Sequence, residues 1–466
     1  MRLDGDHLTL LYLMLEWVIR IVMIIVIPLR RPPEAARSWL LLVLFLPVPA
    51  LILYRLIGRP RFPAWRTKRF QETAPLRETI VEALSVHPSR DSDIAVLAEH
   101  LGGWPSTDGN RVAFQTDYET IVASMVEAIE QARTSVHILT YIFADDATGR
   151  RLCDALAGAV ARGVPVRVLV DALGSRPWAR RSIAMLRDAG VEARLVLPVR
   201  PLAVRRARSD LRNHRKLCMI DGRLAFVGSL NIVDRDFKAG IVNDELVAQI
   251  EGPAVASLEG VFATDWYLET GRRLSLAAVS ASCGDSTVQT IPSGPDYGEG
   301  GYERLLVELV HRARHCVTLV TPYLVPDDAL LVAMKNAVAR GASVKLILSR
   351  VIDQRLVRLA QRSFYTELLE AEVQIYLYRD HLLHAKSVSV DRLFGLVGSS
   401  NADIRSFMLN AEISVMLEDP STVERLDQNH DAYEARSDRL MITQWRTRSR
   451  PVRLAENLAR LVTPLL

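Results

Sequence analysis

His214-Arg215-Lys216-Leu217-Cys218-Met219-Ile220-Asp221, completed by Gly228-Ser229-Leu230-Asn231, recurs as His384-Ala385-Lys386-Ser387-Val388-Ser389-Val390-Asp391 with Gly398-Ser399-Ser400-Asn401. Both copies read H-x-K-x4-D-x6-G-S-x-N with identical spacing. At one in twenty per fixed residue, a single copy is roughly a 10⁻⁵ event over this length. The spacing predicts that His and Lys, two apart, share one face of a strand. Asp221-Gly222 reads as a tight turn into a second strand, Leu224 to Val227. Gly228-Ser229 and Gly398-Ser399 are small residues that let a phosphate approach the backbone. Each copy thus offers an imidazole, a cation and polar donors on one wall, and two facing copies would enclose a phosphodiester.

The duplication extends beyond the motif. Ala132-Arg133-Thr134-Ser135-Val136-His137-Ile138-Leu139-Thr140 matches Ala313-Arg314-His315-Cys316-Val317-Thr318-Leu319-Val320-Thr321. Ala161-Arg162-Gly163-Val164-Pro165-Val166 matches Ala339-Arg340-Gly341-Ala342-Ser343-Val344. Short apolar strands alternating with amphipathic helices predict an α/β sandwich with a mixed sheet in each half. Asn243-Asp244-Glu245 and Asn410-Ala411-Glu412 echo one another, each leading into an apolar strand.

These residues resemble the HKD signature of the phospholipase D superfamily. Asp403-Ile404-Arg405-Ser406-Phe407, Thr321-Pro322-Tyr323-Leu324-Val325-Pro326-Asp327-Asp328, Ser293-Gly294-Pro295-Asp296 and Asp265-Trp266-Tyr267 narrow the likeness to the bacterial cardiolipin synthase branch. The resemblance implies two α/β sandwich domains packed as a pseudo-dimer, with the motifs meeting at the interface. It implies a catalytic set of His214, Lys216, Asp221, His384, Lys386 and Asp391. Within it, the two aspartates are expected to hold local structure rather than touch substrate. Glu245 and Glu412 are the acidic residues that orient a catalytic imidazole. Lys216, Lys386, Asn231 and Asn401 are expected on the non-bridging phosphate oxygens, supported by Ser229 and Ser399. His214 is assigned as nucleophile, forming a phosphatidyl-histidine, and His384 as acid then base. The near symmetry of the copies leaves the reverse assignment open.

The implied reaction joins two phosphatidylglycerol molecules into cardiolipin and releases glycerol. A phospholipase D hydrolase and a transferase with phosphatidylethanolamine as donor are the alternatives. A nuclease shares the chemistry, but the membrane segment speaks against it, so no nucleic-acid partner is expected. A non-enzymatic scaffold has no need for matched His, Lys and Asn pairs.

That membrane segment lies at the N-terminus. Leu8 to Leu29 is apolar except for Glu16 and Arg20, and Trp39 to Tyr54 carries no charge. A membrane helical hairpin over 1–60 is predicted, either spanning or embedded without crossing. Glu16 and Arg20 are four apart and can pair on one helix face, which offsets the roughly 2.5–3.5 kcal/mol cost of a lone charge at mid-bilayer. No basic n-region with a small-residue cleavage site precedes them, so a cleaved signal fits poorly. Arg55, Arg59, Arg61, Arg66, Lys68 and Arg69 flank the second segment, which places the catalytic region in the cytoplasm. The resemblance makes the membrane the bacterial inner membrane.

The remaining organisation reads as a linker over 61–112 with one amphipathic helix near Leu76–Leu84, domains at 113–275 and 285–440, and an amphipathic tail at 441–466. A net charge of +4 demands no polyanionic partner. Cys153, Cys218, Cys283 and Cys316 lie far apart, and no Cys or His run has ligand spacing, so neither a disulfide framework, a metal nor another cofactor is expected. Arg200, Arg205, Arg206, Arg208 and Arg212 crowd the first motif, and Arg355, Arg358 and Arg362 share a helix face. Both regions suit anionic membrane lipids. His137 and His315 read as structural, His381 as core or surface, and Tyr323 as either pocket or packing. The sequence carries no signal for an oligomeric state.

Overall fold

The computed structural model describes residues 5–31, 33–58, 62–87, 92–198, 210–298 and 300–462. Arg59, Arg61, Arg200, Arg205, Arg206, Arg208 and the end of the tail, 463–466, lie outside the described residues.

Each half builds the mixed sheet expected of its sequence. In the first half Val136–Thr140, Val166–Asp171 and Glu192–Val196 pair in parallel. Leu217–Ile220, Leu224–Gly228 and Val247–Glu251 continue antiparallel from the other edge of Val136–Thr140. The second half repeats this order from Cys316–Thr321 and Ser343–Ser349 through Ser387–Val390 and Phe394–Gly398 to Glu412–Leu417. Parallel neighbours are joined through helices that cover the sheet faces, as short crossovers require.

The halves are not separate sandwiches. Ser106–Gln115 pairs with Val247–Glu251 on one side and Ser286–Ser293 on the other, and Ser286–Ser293 pairs with Glu412–Leu417. The result is one continuous sheet of fifteen strands. The two central strands come from just before each repeat, in positions the internal repeat could not reveal.

The reading of 61–112 as a linker is corrected for the same reason. Its described part forms three helices, Ala64–Gln71, Ala74–Leu84 and Asp93–Gly102, and most of the central strand Ser106–Gln115. Ile80, Leu84 and Trp104 are buried in the core with Leu258 and Val261 of helix Val255–Thr270. Arg66 is fully buried, donating to Glu269 at 2.6 Å and to Asp296 at 3.3 Å. Pro63 stands at the N-cap of the first of these helices and Pro75 in the first turn of the second, where a missing N–H costs nothing.

At the N-terminus α1 spans Gly5–Val26, and Thr9–Val26 is long and apolar enough to cross a membrane. Leu11, Leu15, Trp17, Ile21 and Ile25 face outward, while Ile19, Met23 and Ile27 pack on Trp39, Val43 and Tyr54. A helix apolar on its outer face too is suited to lipid rather than water. Glu16 and Arg20 pair at 3.1 Å, as their spacing required. The second apolar segment is not one helix. It divides into α2, Pro33–Phe45, and α3, Pro47–Ile57, with Leu46 out of the helical region at ψ 68°. A residue before proline is pushed from α conformation, and Pro47 places the break at Leu46.

The tail packs on the body. Helix Arg450–Val462 lies along helix Arg355–Glu370, with Glu456 accepting from Arg362 and Arg448, and Arg460 pairing with Glu367. Arg362, expected on an open basic face, is therefore engaged. Arg212 is likewise buried rather than surface-facing, donating to the Leu197 carbonyl at 3.1 Å.

Candidate active site

Each histidine sits just before a strand rather than within it. Leu217–Ile220 and Ser387–Val390 begin one residue after the motif lysines. What holds the histidine backbones is the opposite half. The His214 N–H donates to the Ala411 carbonyl at 2.8 Å, and the His384 N–H to the Asp244 carbonyl at 2.7 Å. The segment Leu382–Leu383 also pairs in parallel with Asn243–Asp244.

The side chains follow the same exchange. His214 Nδ1 lies 2.9 and 3.0 Å from the carboxylate oxygens of Glu412. His384 Nδ1 lies 2.9 and 2.8 Å from those of Glu245. Each half thus supplies the carboxylate for the other half's imidazole. The sequence singled out both glutamates, but not this crossing, because a repeat lines up equivalent residues and not their partners. A carboxylate on Nδ1 fixes the tautomer that leaves Nε2 free.

Both histidines line one cavity of about 100 Å³, together with Asn231, Tyr141, Tyr323, Lys238 and Asp353. Tyr141 stands edge-on to His214, ring centroids 4.7 Å apart. Lys238 of the first half pairs with Asp353 of the second across this cavity, and the Tyr323 hydroxyl donates to the same carboxylate. Tyr141 follows the repeated strand end as Tyr323 nearly does. Lys238 and Asp353 carried no sequence signal, since they come from unrelated loops. Lys216 Nζ donates to the His214 carbonyl at 2.7 Å, and Lys386 Nζ bonds that of His384. Among the described residues the buried amide oxygens of Asn231 and Asn401 have no hydrogen-bond partner. Amide orientation is interchangeable at this level, so each can turn a donor to an incoming oxygen.

Burial sets the charges. It pushes the His214 imidazole down to about 4, against the pull of Glu412. His384 is lowered too, again by burial and against Glu245. Burial brings Lys216 down to about 8 and Lys386 to about 7, the latter helped by the charge of Lys216. Burial works to raise Glu245 and Glu412, but the facing imidazoles and lysines outweigh it and hold both carboxylates low. Two buried lysines, each bonded to the backbone of a cavity histidine and destabilised as cations by burial, gain from an anionic phosphodiester brought beside them.

Two expectations, on the motif serines and glycines, need correction. Ser229 and Ser399 do not face the cavity; both are fully buried and donate to Glu245 and Glu412, so they steady the carboxylates. Gly228 and Gly398 serve the sheet rather than a phosphate, because a Cβ would meet Leu246 O at 2.2 Å and Ile413 O at 2.3 Å. Asp221 and Asp391 sit in the hairpin turns at φ 56° and 52°. Asp221 accepts from the N–H groups of Arg133, Thr134 and Ser135 at 2.6–3.0 Å, and Asp391 from Arg314, His315 and Cys316. Their role is to tie each turn to the preceding helix–strand junction. Asp221→Ala is expected to lower the unfolding free energy by about 2–3 kcal/mol, the cost of leaving such donors unmatched, read from urea denaturation. An unchanged midpoint would contradict that role.

Of the other histidines, His137 is buried, bonded to Glu259 at 2.7 Å and stacked on Phe262. His315 is exposed, and His381 pairs with Asp244 at 3.2 Å. Among the described residues no group of three or more His, Cys, Asp or Glu is placed to hold a metal ion.

The family described as "Cardiolipin synthase, PLD-like domain" matches residues 125–266 and 306–433, one match per half. Cardiolipin synthase A of Pectobacterium carotovorum subsp. carotovorum (strain PC1) is 35% identical over 458 residues, covering 94% of both chains. Cardiolipin synthase A of Yersinia pseudotuberculosis serotype IB (strain PB1/+) is 35% identical over 456 residues, again with 94% of each chain covered. Among solved structures, phosphatidylserine synthase of Haemophilus influenzae Rd KW20 aligns with TM-score 0.62 at 15% identity, over 80% of this chain and all of that one. This last likeness speaks for the fold. With near-complete coverage by these relatives and a family match in each half, the chain belongs to the cardiolipin synthase family of the phospholipase D superfamily and is an enzyme of the phosphatidyltransferase type.

Proposed function

We propose that the enzyme transfers a phosphatidyl group from one phosphatidylglycerol to another, giving cardiolipin and glycerol. The observation that carries the mechanism is the pair of histidines on one small cavity, each with Nδ1 on a carboxylate of the other half. His214 Nε2 attacks phosphorus, and the bond to the departing glycerol oxygen breaks. His384 Nε2 gives that oxygen its proton. The glycerol hydroxyl of the second lipid then loses a proton to His384 and attacks phosphorus, and the P–N bond to His214 breaks. Lys216, Lys386, Asn231 and Asn401 hold the non-bridging oxygens. A neutral His214 suits the nucleophile's role, and its depressed pKa supports this order. The enzyme is anchored in the bacterial inner membrane by its N-terminal helices, with the catalytic body on the cytoplasmic side.

The test is a lipid assay with the full chain in anionic vesicles and labelled phosphatidylglycerol. Cardiolipin and free glycerol in equal amounts are expected. Phosphatidic acid as the main product would make the enzyme a hydrolase, and turnover only on adding phosphatidylethanolamine would change the donor.

The pH dependence follows from the charges. His384 must carry a proton, and both lysines must be charged, in the free enzyme that meets substrate. All three are depressed, and a depressed base loses its proton as pH rises through its lowered value. The kcat/KM profile should therefore fall on the alkaline side and steepen through about 7 and 8 as Lys386 and then Lys216 discharge. Bound phosphodiester favours the charged forms, so the same limb in kcat should lie at higher pH. A kcat/KM profile flat to pH 9 would contradict the reading.

A further inference from the structure

A second cavity, of about 930 Å³, shares no lining residue with the histidine cavity. Its walls carry Arg69, Arg176, Arg180, Arg187 and Arg194, with Trp65 at one side. Among the described residues of this lining Glu269 is the one carboxylate, and Arg66 already holds it at 2.6 Å. Arg176, Arg180 and Arg187 are exposed, and among the described residues the guanidinium groups of Arg176 and Arg180 make no hydrogen bond or ion pair. The floor is apolar, including Ile183 and Leu195. Arg194 pairs with Glu192 at 3.4 Å, but among the described residues Arg69, Arg176, Arg180 and Arg187 have no carboxylate partner, which leaves a concentration of positive charge over the apolar floor.

Placement decides what can fill it. Trp65 and Arg69 stand on Ala64–Gln71, the first helix after the N-terminal apolar segment. Trp65 follows Ile57 by eight residues, a tether of at most about 30 Å, so the rim stays within that reach of the apolar segment. The far wall adjoins the nucleophile's support: Leu197 O accepts from Arg212, two residues before His214, and Asp171, next to Ala172 of the lining, accepts from the Asn213 N–H at 3.0 Å.

We propose that this groove is a second lipid site, which binds the phosphodiester headgroup of an anionic phospholipid drawn from the bilayer. The arginines take the phosphate oxygens, and Trp65 and the apolar floor take the glycerol and the start of the acyl chains. The site is separate from the histidine cavity and does not depend on which donor that cavity uses.

The test uses the full chain in neutral detergent with His214→Ala to stop turnover, and dihexanoylphosphatidylglycerol below its micelle concentration, titrated by calorimetry. Two equivalents per chain are expected. Arg176→Gln with Arg180→Gln and Arg187→Gln should retain one and weaken the other on the order of a hundredfold, at about fivefold per basic residue. Lys216→Ala with Lys386→Ala should keep the groove equivalent. Arg180→Gln alone, weakened about fivefold, decides the matter if the triple variant misfolds. Unchanged binding in the arginine variants, or both equivalents lost with the lysines, would overturn the proposal. Equal affinity for dihexanoylphosphatidylcholine would remove its charge basis. Equal affinity for acyl-free glycerophosphoglycerol would make it a site for soluble phosphodiesters instead of lipid.

Discussion

His384→Ala should regain phosphatidyl transfer when the donor carries an acidic leaving group, and His214→Ala should not. With phosphatidylglycerol both variants are expected to be near-silent. Loss of a nucleophile that acts as one unit with its neighbours costs about 10⁴–10⁶ in kcat, and loss of a general acid about 10²–10⁴. The two losses differ in kind. A glycerol oxygen leaves as a strongly basic alkoxide unless it is protonated, so His384 is needed to break that bond. A p-nitrophenyl leaving group departs without a proton. Phosphatidyl-p-nitrophenol would therefore still transfer its phosphatidyl group to His214 in the His384→Ala variant, forming the P–N bond as nitrophenolate leaves, visible as a burst of nitrophenol of about one equivalent per chain. The second step still lacks its base, so turnover after the burst should be slow. In His214→Ala there is no nitrogen to take the phosphatidyl group, and no burst is expected. A burst in His214→Ala and none in His384→Ala would reverse the assignment, which the near symmetry of the copies permits on chemical grounds alone.

Much of this site was legible in the sequence because it is local. The spacing from His to Asn is held within one hairpin, and a hairpin's geometry is set by its turn. Asp221-Gly222 stands in left-handed conformation as a two-residue turn demands, and so does Asp391-Arg392 without the help of glycine. The repeat also exposed Glu245 and Glu412. What stayed hidden is whatever depends on the two halves meeting. The crossed pairing of glutamate and histidine, the Lys238–Asp353 contact and the two central strands of the sheet all join residues more than a hundred positions apart or lie outside the repeat. Composition misled at 61–112 for a physical reason: three short helices with charged outer faces resemble a solvated connection unless the partner of Arg66 is known. The serines were misread in a similar way. A small hydroxyl residue beside a phosphate motif invites a substrate role, but Ser229 and Ser399 are spent inside the carboxylate network. The membrane segment lay between these cases. Pro47 made the break after Phe45 foreseeable, since it acts on the residue directly before it.

The crossed carboxylates give the second large effect, and it separates the two halves by step rather than by size. Glu412→Gln should slow transfer by about 10³–10⁴, as expected when a buried carboxylate that sets an imidazole's tautomer becomes an amide. Glutamine still accepts from a ring N–H but also offers its own donor, so Nδ1 can be left unprotonated and Nε2 blocked by a proton. In Glu412→Gln the blocked ring is His214, and the p-nitrophenyl donor should not restore the burst at its wild-type rate. In Glu245→Gln the affected ring is His384, so the same donor should restore the burst while the second step remains slow. The glutamate in each half would thus give the phenotype of the histidine in the other. Pairing within a half predicts the opposite: Glu245→Gln would lose the burst and Glu412→Gln would keep it. Ser399→Ala supplies a graded form of the test. It removes a donor to Glu412 but leaves the carboxylate in place, so it should weaken the burst rate by about tenfold, the worth of one hydrogen bond to a charged group, and leave Glu245 and the second step unaffected. Loss of both steps together in Ser399→Ala would mean that the two carboxylates are coupled through the sheet rather than serving one histidine each.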